Sequence, residues 1–359
     1  MVGTKKKIGL GIIGCGVIGR HHLTAASTDP GIELVAVADL DETLVSQAAE
    51  KFAVPRVYND GASLIDDPEI DAVVLAVITG VRAPLAYRAL RKGKHVLLEK
   101  PPALNAGQIR RYMKLQGDRV VACCSSRLSF LDGAVAARRV VENGNLGEIR
   151  IVRCRGIRAV AARNDGWQPP SWRVSHRLNG GGYLVNWGVY DFDYLMHVTG
   201  WKLEPEWVLA QTWPVAPALA NGRVAPGSDA ETHAAIFIRC SNGAVITLER
   251  GEAVAMEGEN IWQITGDRGS LRLRMVPGGD GPVVTLDTAH PETGLSTEVI
   301  LADPGADIQH QMPVRDFAAA IRERRSPHTD LRKALTIQKI LDAAYRSSRI
   351  GRAVRVRKD

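Results

Sequence analysis

Three groups of residues in this chain have the types and spacing that chemistry needs. The first is Gly14-Cys15-Gly16-Val17-Ile18-Gly19, which follows the apolar run Ile8 to Ile13 and opens a helix-like segment, Val17 to Ser27. The first glycine of such a turn permits a sharp reversal, and the second lets a pyrophosphate approach the backbone. The third lets the helix pack close to the strand, while the helix N-terminus adds N–H donors and a favourable dipole. Asp39 ends the next strand, Glu33 to Asp39, about twenty residues further on. A carboxylate there can hydrogen-bond both ribose hydroxyls of NAD and repels a 2′-phosphate, and Leu40 and Asp41, not a basic residue, follow it. NAD in preference to NADP is the expected cofactor.

The second group is Leu98-Glu99-Lys100-Pro101-Pro102, at the end of the strand His95 to Glu99. Open α/β sheets bind ligands at the carboxyl ends of their strands. The two prolines restrict the backbone there. A lysine so placed can hydrogen-bond a reacting hydroxyl, or accept its proton if its pKa is depressed. The third group is the run Gly180 to Asp193, where glycines open a helix. Asn186 and Tyr190 are four apart and share a helix face, with Asp193 close to it. Just before it, Trp167, Trp172, Arg173 and His176 could line a sugar site, tryptophan stacking on ring faces and Arg173 donating to oxygens. His21 and His22 read as surface or helix-packing residues.

These groups need elements to hold them. Strands and helices alternate from residue 6 to 125, the signature of a parallel sheet covered on both faces. Pro84 to Lys92 reads as one of the helices, and Arg119 to Cys124 as the last strand. After a helix at Gly133 to Glu142, strand-like runs follow one another: Ile149 to Ile157, Trp207 to Thr212, His233 to Ile238, Ala244 to Gly251, Asn260 to Gly266, Gly269 to Arg274 and Val283 to Asp287. That pattern favours an antiparallel or mixed sheet. Two helices, Gln311 to Arg322 and Leu331 to Ser348, close the chain. The fold class is therefore α/β: a doubly wound parallel sheet over 1–125, then an α+β domain over 126–359.

Composition narrows the partners. With 46 basic and 39 acidic residues the net charge is +7, yet the basic residues are scattered and not interleaved with aromatics. Solvated helix faces and anionic small molecules explain that charge better than nucleic acid does. No apolar run reaches the roughly 18 residues of a membrane span. Lys5-Lys6-Lys7 before Ile8 to Ile13 imitates a secretory signal, but the apolar stretch is short and glycine-rich. Five cysteines without CxxC spacing fit free thiols in a reducing cytoplasm, and no metal-ligand spacing is present.

The three groups together resemble the family of glucose–fructose oxidoreductase, inositol dehydrogenase and rhizopine-catabolism proteins, called Gfo/Idh/MocA. The resemblance rests on the glycine turn at 14 to 19, Lys94-His95-Val96 with Glu99-Lys100-Pro101, and the Gly180 to Asp193 segment. Arg127, Asn145-Leu146-Gly147-Glu148-Ile149 and the closing Ala343-Ala344-Tyr345 support it. It implies a Rossmann domain, an open-faced sheet often used for oligomerisation into a homodimer or homotetramer, and a last helix packing back on the Rossmann domain. It also implies NAD(P)-dependent chemistry at a hydroxyl of a sugar, cyclitol or related polyol.

Lys100 corresponds to the family's catalytic lysine, with Tyr190 and Asn186 its catalytic companions. Gly14, Gly16, Val17, Ile18, Gly19, Asp39, Thr79, Glu99 and Lys100 are the cofactor-side candidates. Lys100, Arg127, Trp172, Arg173, Asn186, Tyr190 and Asp193 are the substrate-side candidates. Where the family commonly has Asp and His, this chain has Asn186 and Tyr190, so either Tyr190 or Lys100 can be the proton acceptor. The segment Val77 to Arg82 also lacks the family's usual Thr-Pro and His. A redox-neutral member with tightly held NAD, and a silent ligand sensor, are the rival expectations.

Overall fold

The computed structural model describes residues 7–160, 170–220, 224–225, 227–276, 278 and 280–357. The chain divides into two compact units: Met1–Arg127 with Ile308–Leu335, and Leu128–Asp307 with Thr336–Asp359.

In the first unit, strand and helix alternate as β1 (Ile8–Ile13), α1 (Val17–Ser27), β2 (Ile32–Ala38), α2 (Glu42–Phe52), β3 (Arg56–Tyr58), α3 (Gly61–Asp66), β4 (Ala72–Leu75), α4 (Thr79–Arg91), β5 (His95–Leu98), α5 (Ala106–Gln116) and β6 (Val121–Cys123). The six strands are all parallel, in the order β3-β2-β1-β4-β5-β6. Strand order reverses between β1 and β4, which is where such sheets open a ligand crevice. The strands bury Val, Ile, Leu and Ala on both faces, one face against α3, α4 and α5 and the other against α1 and α2. That is why they read as continuous apolar runs.

α4 differs from expectation. It begins at Thr79, so Thr79 to Arg82 form its first turn, and Pro84 lies inside it. Proline's preference for the first helical turn suggests a start at Pro84, but the chain is already helical before it.

The second unit opens with a 3-10 segment (Cys124–Phe130) that straddles the division, then α6 (Asp132–Glu142) and the long strand β7 (Ile149–Ala159). A short turn α7 (His176–Asn179), a π-helical segment (Leu184–Gly188) and α8 (Val189–Val198) carry the glycine-run residues. Next come β8 (Pro205–Trp213), β9 (His233–Cys240), β10 (Val245–Val254), β11 (Glu259–Gly266), β12 (Gly269–Leu273), β13 (Val284–His290) and β14 (Gly294–Leu301). α9 (Met312–Glu323) and the first turn of α10 (Leu331–Ile350) pack in the first unit. β15 (Val354–Arg355) ends the chain. The nine-stranded sheet runs β14-β13-β12-β11-β7-β10-β9-β8-β15. Among the described residues it is mixed through a single parallel pair, β7 with β10.

Among the described residues, no helix is long and apolar enough to cross a membrane. All five cysteines are free and buried.

Candidate functional site

The glycine turn has the geometry its sequence requires. Gly14 adopts φ +99, a left-handed conformation that side chains disfavour, and a Cβ there would fall 2.7 Å from the Ala76 carbonyl oxygen. A Cβ on Gly19 would fall 1.8 Å from the carbonyl oxygen of Gly14. At Gly16 it would meet no atom within 4 Å. Two glycines therefore close the turn, and the middle one leaves open space beside the backbone. Among the described residues no side chain caps α1, so its first N–H groups remain available to a phosphate.

Asp39 is anchored where the turn begins. Its Oδ2 accepts the Cys15 N–H at 2.6 Å and its Oδ1 the Asp41 N–H at 3.1 Å. Burial first, then the Asp39 charge, push the Cys15 thiol up to about 12, so this cysteine stays protonated. Val17 is exposed at the mouth of the turn, Ile18 is half-buried, and Thr79 is buried at the start of α4. These residues fit a dinucleotide.

Lys100 follows β5 and is half-buried. Its backbone N–H donates to Glu99 Oε2 at 2.8 Å. The other carboxylate oxygen, Oε1, accepts from His22 Nε2 at 2.9 Å and from Arg127 Nη2 at 2.6 Å. Burial pulls the Glu99 pKa upward, but the Arg127 charge and the His22 hydrogen bond hold it well below the ordinary carboxylate range.

Arg82, fully buried in α4, donates to the carbonyl oxygens of Glu99, Pro101 and Val77. It thus grips the backbone on both sides of Lys100. Burial lowers the Arg82 pKa while the Glu99 charge opposes that shift.

His22, Glu99 and Cys124 bring ligand-type atoms within 4.8 Å of one another. Arg127 already neutralises the carboxylate, and burial followed by the Glu99 charge raises the Cys124 pKa well above its usual value. The trio is an ion-paired knot under Lys100, ill suited to a cation. Both histidine expectations gain detail: His22 is 1% exposed and bonded to Glu99, whereas His21 stacks on His310 at 4.2 Å. Arg127 is buried in this knot, with its guanidinium turned to Glu99.

In the second unit, Asn186 lies in the π-helical segment and Tyr190 in the first turn of α8. Such π-turns cluster at functional sites because they re-aim a side chain without breaking the helix. The segment is tied down by Glu231, whose carboxylate accepts from the backbone N–H groups of Gly182 and Leu184 and from the Tyr345 hydroxyl at 2.9 Å. Burial raises the Glu231 pKa against those hydrogen bonds.

Asn186 is half-buried, and Tyr190, 6% exposed, meets the Trp187 ring edge-on at 5.8 Å. Asp193 is wholly buried and accepts the Ser129 hydroxyl at 3.0 Å, so it braces the helix from inside. Trp172 is half-buried, and Arg173 donates from Nη2 to both oxygens of buried Glu252, at 3.0 and 2.8 Å. Trp167 lies outside the described residues.

A buried charge cluster that sequence reading missed lies under this helix. Asp191 accepts from Arg250 Nε at 2.6 Å, Arg250 Nη2 at 2.5 Å and Trp262 Nε1 at 2.9 Å. Its signal was present: Asp191 is a second acid two residues from Asp193 on an otherwise apolar helix, and a buried carboxylate needs a partner. The partner sits 59 residues away on another element.

A parallel sheet with this glycine turn, a ribose-side carboxylate and a lysine at a strand end defines a nucleotide-dependent domain of the Rossmann class. Residues 8–124 match the oxidoreductase family with an NAD-binding Rossmann fold, and residues 138–356 match its C-terminal alpha/beta domain. The chain belongs to this Gfo/Idh/MocA oxidoreductase family.

Among its relatives, myo-inositol 2-dehydrogenase of Thermotoga maritima is 24% identical over 264 residues, 73% of this chain and 74% of that protein. The uncharacterized oxidoreductase ORF334 of Rhizobium meliloti is 28% identical over 354 residues, 95% and 97% of the two chains. A structure of levoglucosan dehydrogenase with NADH and L-sorbose superposes with a TM-score of 0.80 at 22% identity, covering 99% of this chain and all of that one. That likeness concerns the fold.

Proposed function

We propose that this protein is an NAD-dependent dehydrogenase acting on a hydroxyl-bearing carbon of a sugar, cyclitol or related polyol. The observation that carries the proposal is the held lysine. Lys100 stands at the carboxyl edge of the sheet that bears the glycine turn, its peptide gripped by Glu99 and Arg82. The names of the relatives, inositol and levoglucosan dehydrogenases among them, support the substrate class.

Gly14, Gly16 and Gly19 with the α1 N-terminus would hold the pyrophosphate, and Asp39 the ribose, favouring NAD over NADP. The bound nicotinamide supplies a hydride acceptor. Lys100 and Tyr190 are the groups that handle the hydroxyl proton, and Asn186 orients the substrate. Arg127, Asp193 and Arg173 then act from behind, through Glu99, Ser129 and Glu252.

The sheet face of the second unit that carries Leu209, Phe237 and Ile261 forms an open depression of about 590 Å³. Leu209 and Phe237 are 49% and 47% exposed, which supports self-association as a homodimer or homotetramer. Five free thiols support a reducing, cytoplasmic setting.

The test is NADH formation with purified protein, NAD or NADP, and a panel of sugars, inositols and glycosides. Turnover with NAD supports the reading. Tightly bound NAD without turnover of any polyol would replace it with the redox-neutral alternative.

A further inference from the structure

The polar groups around Trp187 are unevenly charged. On β7, Cys154, Gly156 and Arg158 alternate onto one face of the sheet. In the parallel pairing with β10, Gly156 lies opposite Arg250 and Arg158 lies opposite Glu252. A Cβ on Gly156 would fall 2.0 Å from Arg250 Nη1, so glycine makes room for that guanidinium.

Arg250 uses its charge on Asp191, through both carboxylate oxygens. Glu252, although it is Arg158's register neighbour, gives both oxygens to Arg173. Three guanidiniums thus share two carboxylates. The one left over is Arg158, which has no ion pair among the described residues.

Its position points toward the proposed chemistry. The exposed guanidinium of Arg158 lies over the Trp187 ring, 5.1 Å from its centroid, and Arg250 also lies 5.1 Å from that centroid. The same ring meets Tyr190 edge-on. Nearby, the Tyr183 hydroxyl is buried with no hydrogen-bond partner among the described residues. Burial pushes that hydroxyl up to about 12, and the charge of Arg158 is the strongest pull in the other direction.

We propose that the substrate carries a carboxylate, and that Arg158, seated on Trp187 beside Tyr190, is the residue that binds it. The site therefore takes a sugar acid, such as a uronate, in preference to a neutral sugar. This rests on the dehydrogenase reading above. A planar guanidinium pairs with a carboxylate through two parallel N–H···O bonds, and one surplus positive charge matches a monoanion. A phosphate monoester carries close to two charges at neutral pH and exceeds that match.

The experiment has two readouts. Tryptophan fluorescence of the NADH-loaded protein is titrated with glucuronate, galacturonate, glucose, galactose and glucose 6-phosphate. NADH formation is then measured on the same compounds with NAD. Uronates are expected to bind at least about tenfold more tightly than their neutral counterparts. Arg158→Gln should erase that ratio, and Arg158→Lys should keep part of it. Equal binding of uronate and sugar, a uronate affinity untouched by Arg158→Gln, or a preference for the phosphate would each overturn the proposal. Turnover of neutral sugars without a uronate advantage would sink it while leaving the dehydrogenase reading intact. Arg158-dependent uronate binding with no turnover of any polyol would do the reverse.

Discussion

Arg82 Nη1 lies 2.6 Å from the carbonyl oxygen of Glu99, and the same guanidinium reaches the carbonyl of Pro101, so one buried cation clasps the chain on both sides of Lys100. It offers hydrogen bonds where a free backbone would leave carbonyl oxygens unpaired. Replacing Arg82 with Met should strand those acceptors and cost about 3 kcal/mol of stability. The turnover number should fall by more than NADH affinity does, because the clasp holds the Lys100 peptide directly and reaches the glycine turn only through Val77. Denaturant melts and NADH titration of the variant check both parts. An undiminished turnover number would remove Arg82 from the positioning of Lys100.

Lys100→Met tests the centre of the mechanism. Loss of a positioned acid–base group costs on the order of 10²–10⁴ in rate. The variant should still bind NADH and melt like the parent, since the lysine is half-buried and its backbone anchor is retained.

Asp39 carries the cofactor choice. Asp39→Ser removes the charge that repels a 2′-phosphate, so kcat/KM with NADP should rise relative to NAD. The ratio of the two, measured on one substrate, is the readout.

The Asp191–Arg250 pair predicts a non-additive mutant cycle. Asp191→Asn leaves Arg250 buried without its counter-charge and should destabilise by about 3–5 kcal/mol. Arg250→Met in the same chain should recover a substantial part of that loss. Melting curves for the two single variants and the double variant decide it.

Two buried carboxylates should respond to pH with opposite signs. Glu99 is held well below the ordinary glutamate value of 4.5, so its contribution is present above that pH and lost as the solution is acidified through the folded pKa. Glu231 is raised above 4.5, so its contribution is complete below that value and declines as pH rises through the folded pKa. Relative to Glu99→Gln, the parent should lose its stability advantage on acidification below 4.5. Relative to Glu231→Gln, it should gain on acidification toward 4.5. Denaturant unfolding of the three proteins across this range separates the two trends.

Much of the fold was legible because it follows from local periodicity. The alternating strands and helices of the first unit, and the change to consecutive strands after it, appear as read. Short elements escaped: β3, with three residues, and α3, with six, carry too little pattern to register. β14 escaped for another reason. Its exposed face is not apolar enough to alternate, and its pairing with β13 holds it in place. The helix that the glycine run predicts is π-helical over Leu184–Gly188 before it becomes α8.

The turn at Gly14 to Gly19, the acid just after β2 and the lysine after β5 are all written in short stretches of chain. Each depends on a few neighbouring residues whose conformational limits are intrinsic. Which charges face one another emerges only when the chain is packed. Arg82 closes on the Lys100 peptide, His22 and Arg127 converge on Glu99, and Glu252 chooses Arg173 over its register neighbour Arg158. A buried charge takes whatever partner packing brings within hydrogen-bond reach, and sheet order and register, not chain distance, set that reach.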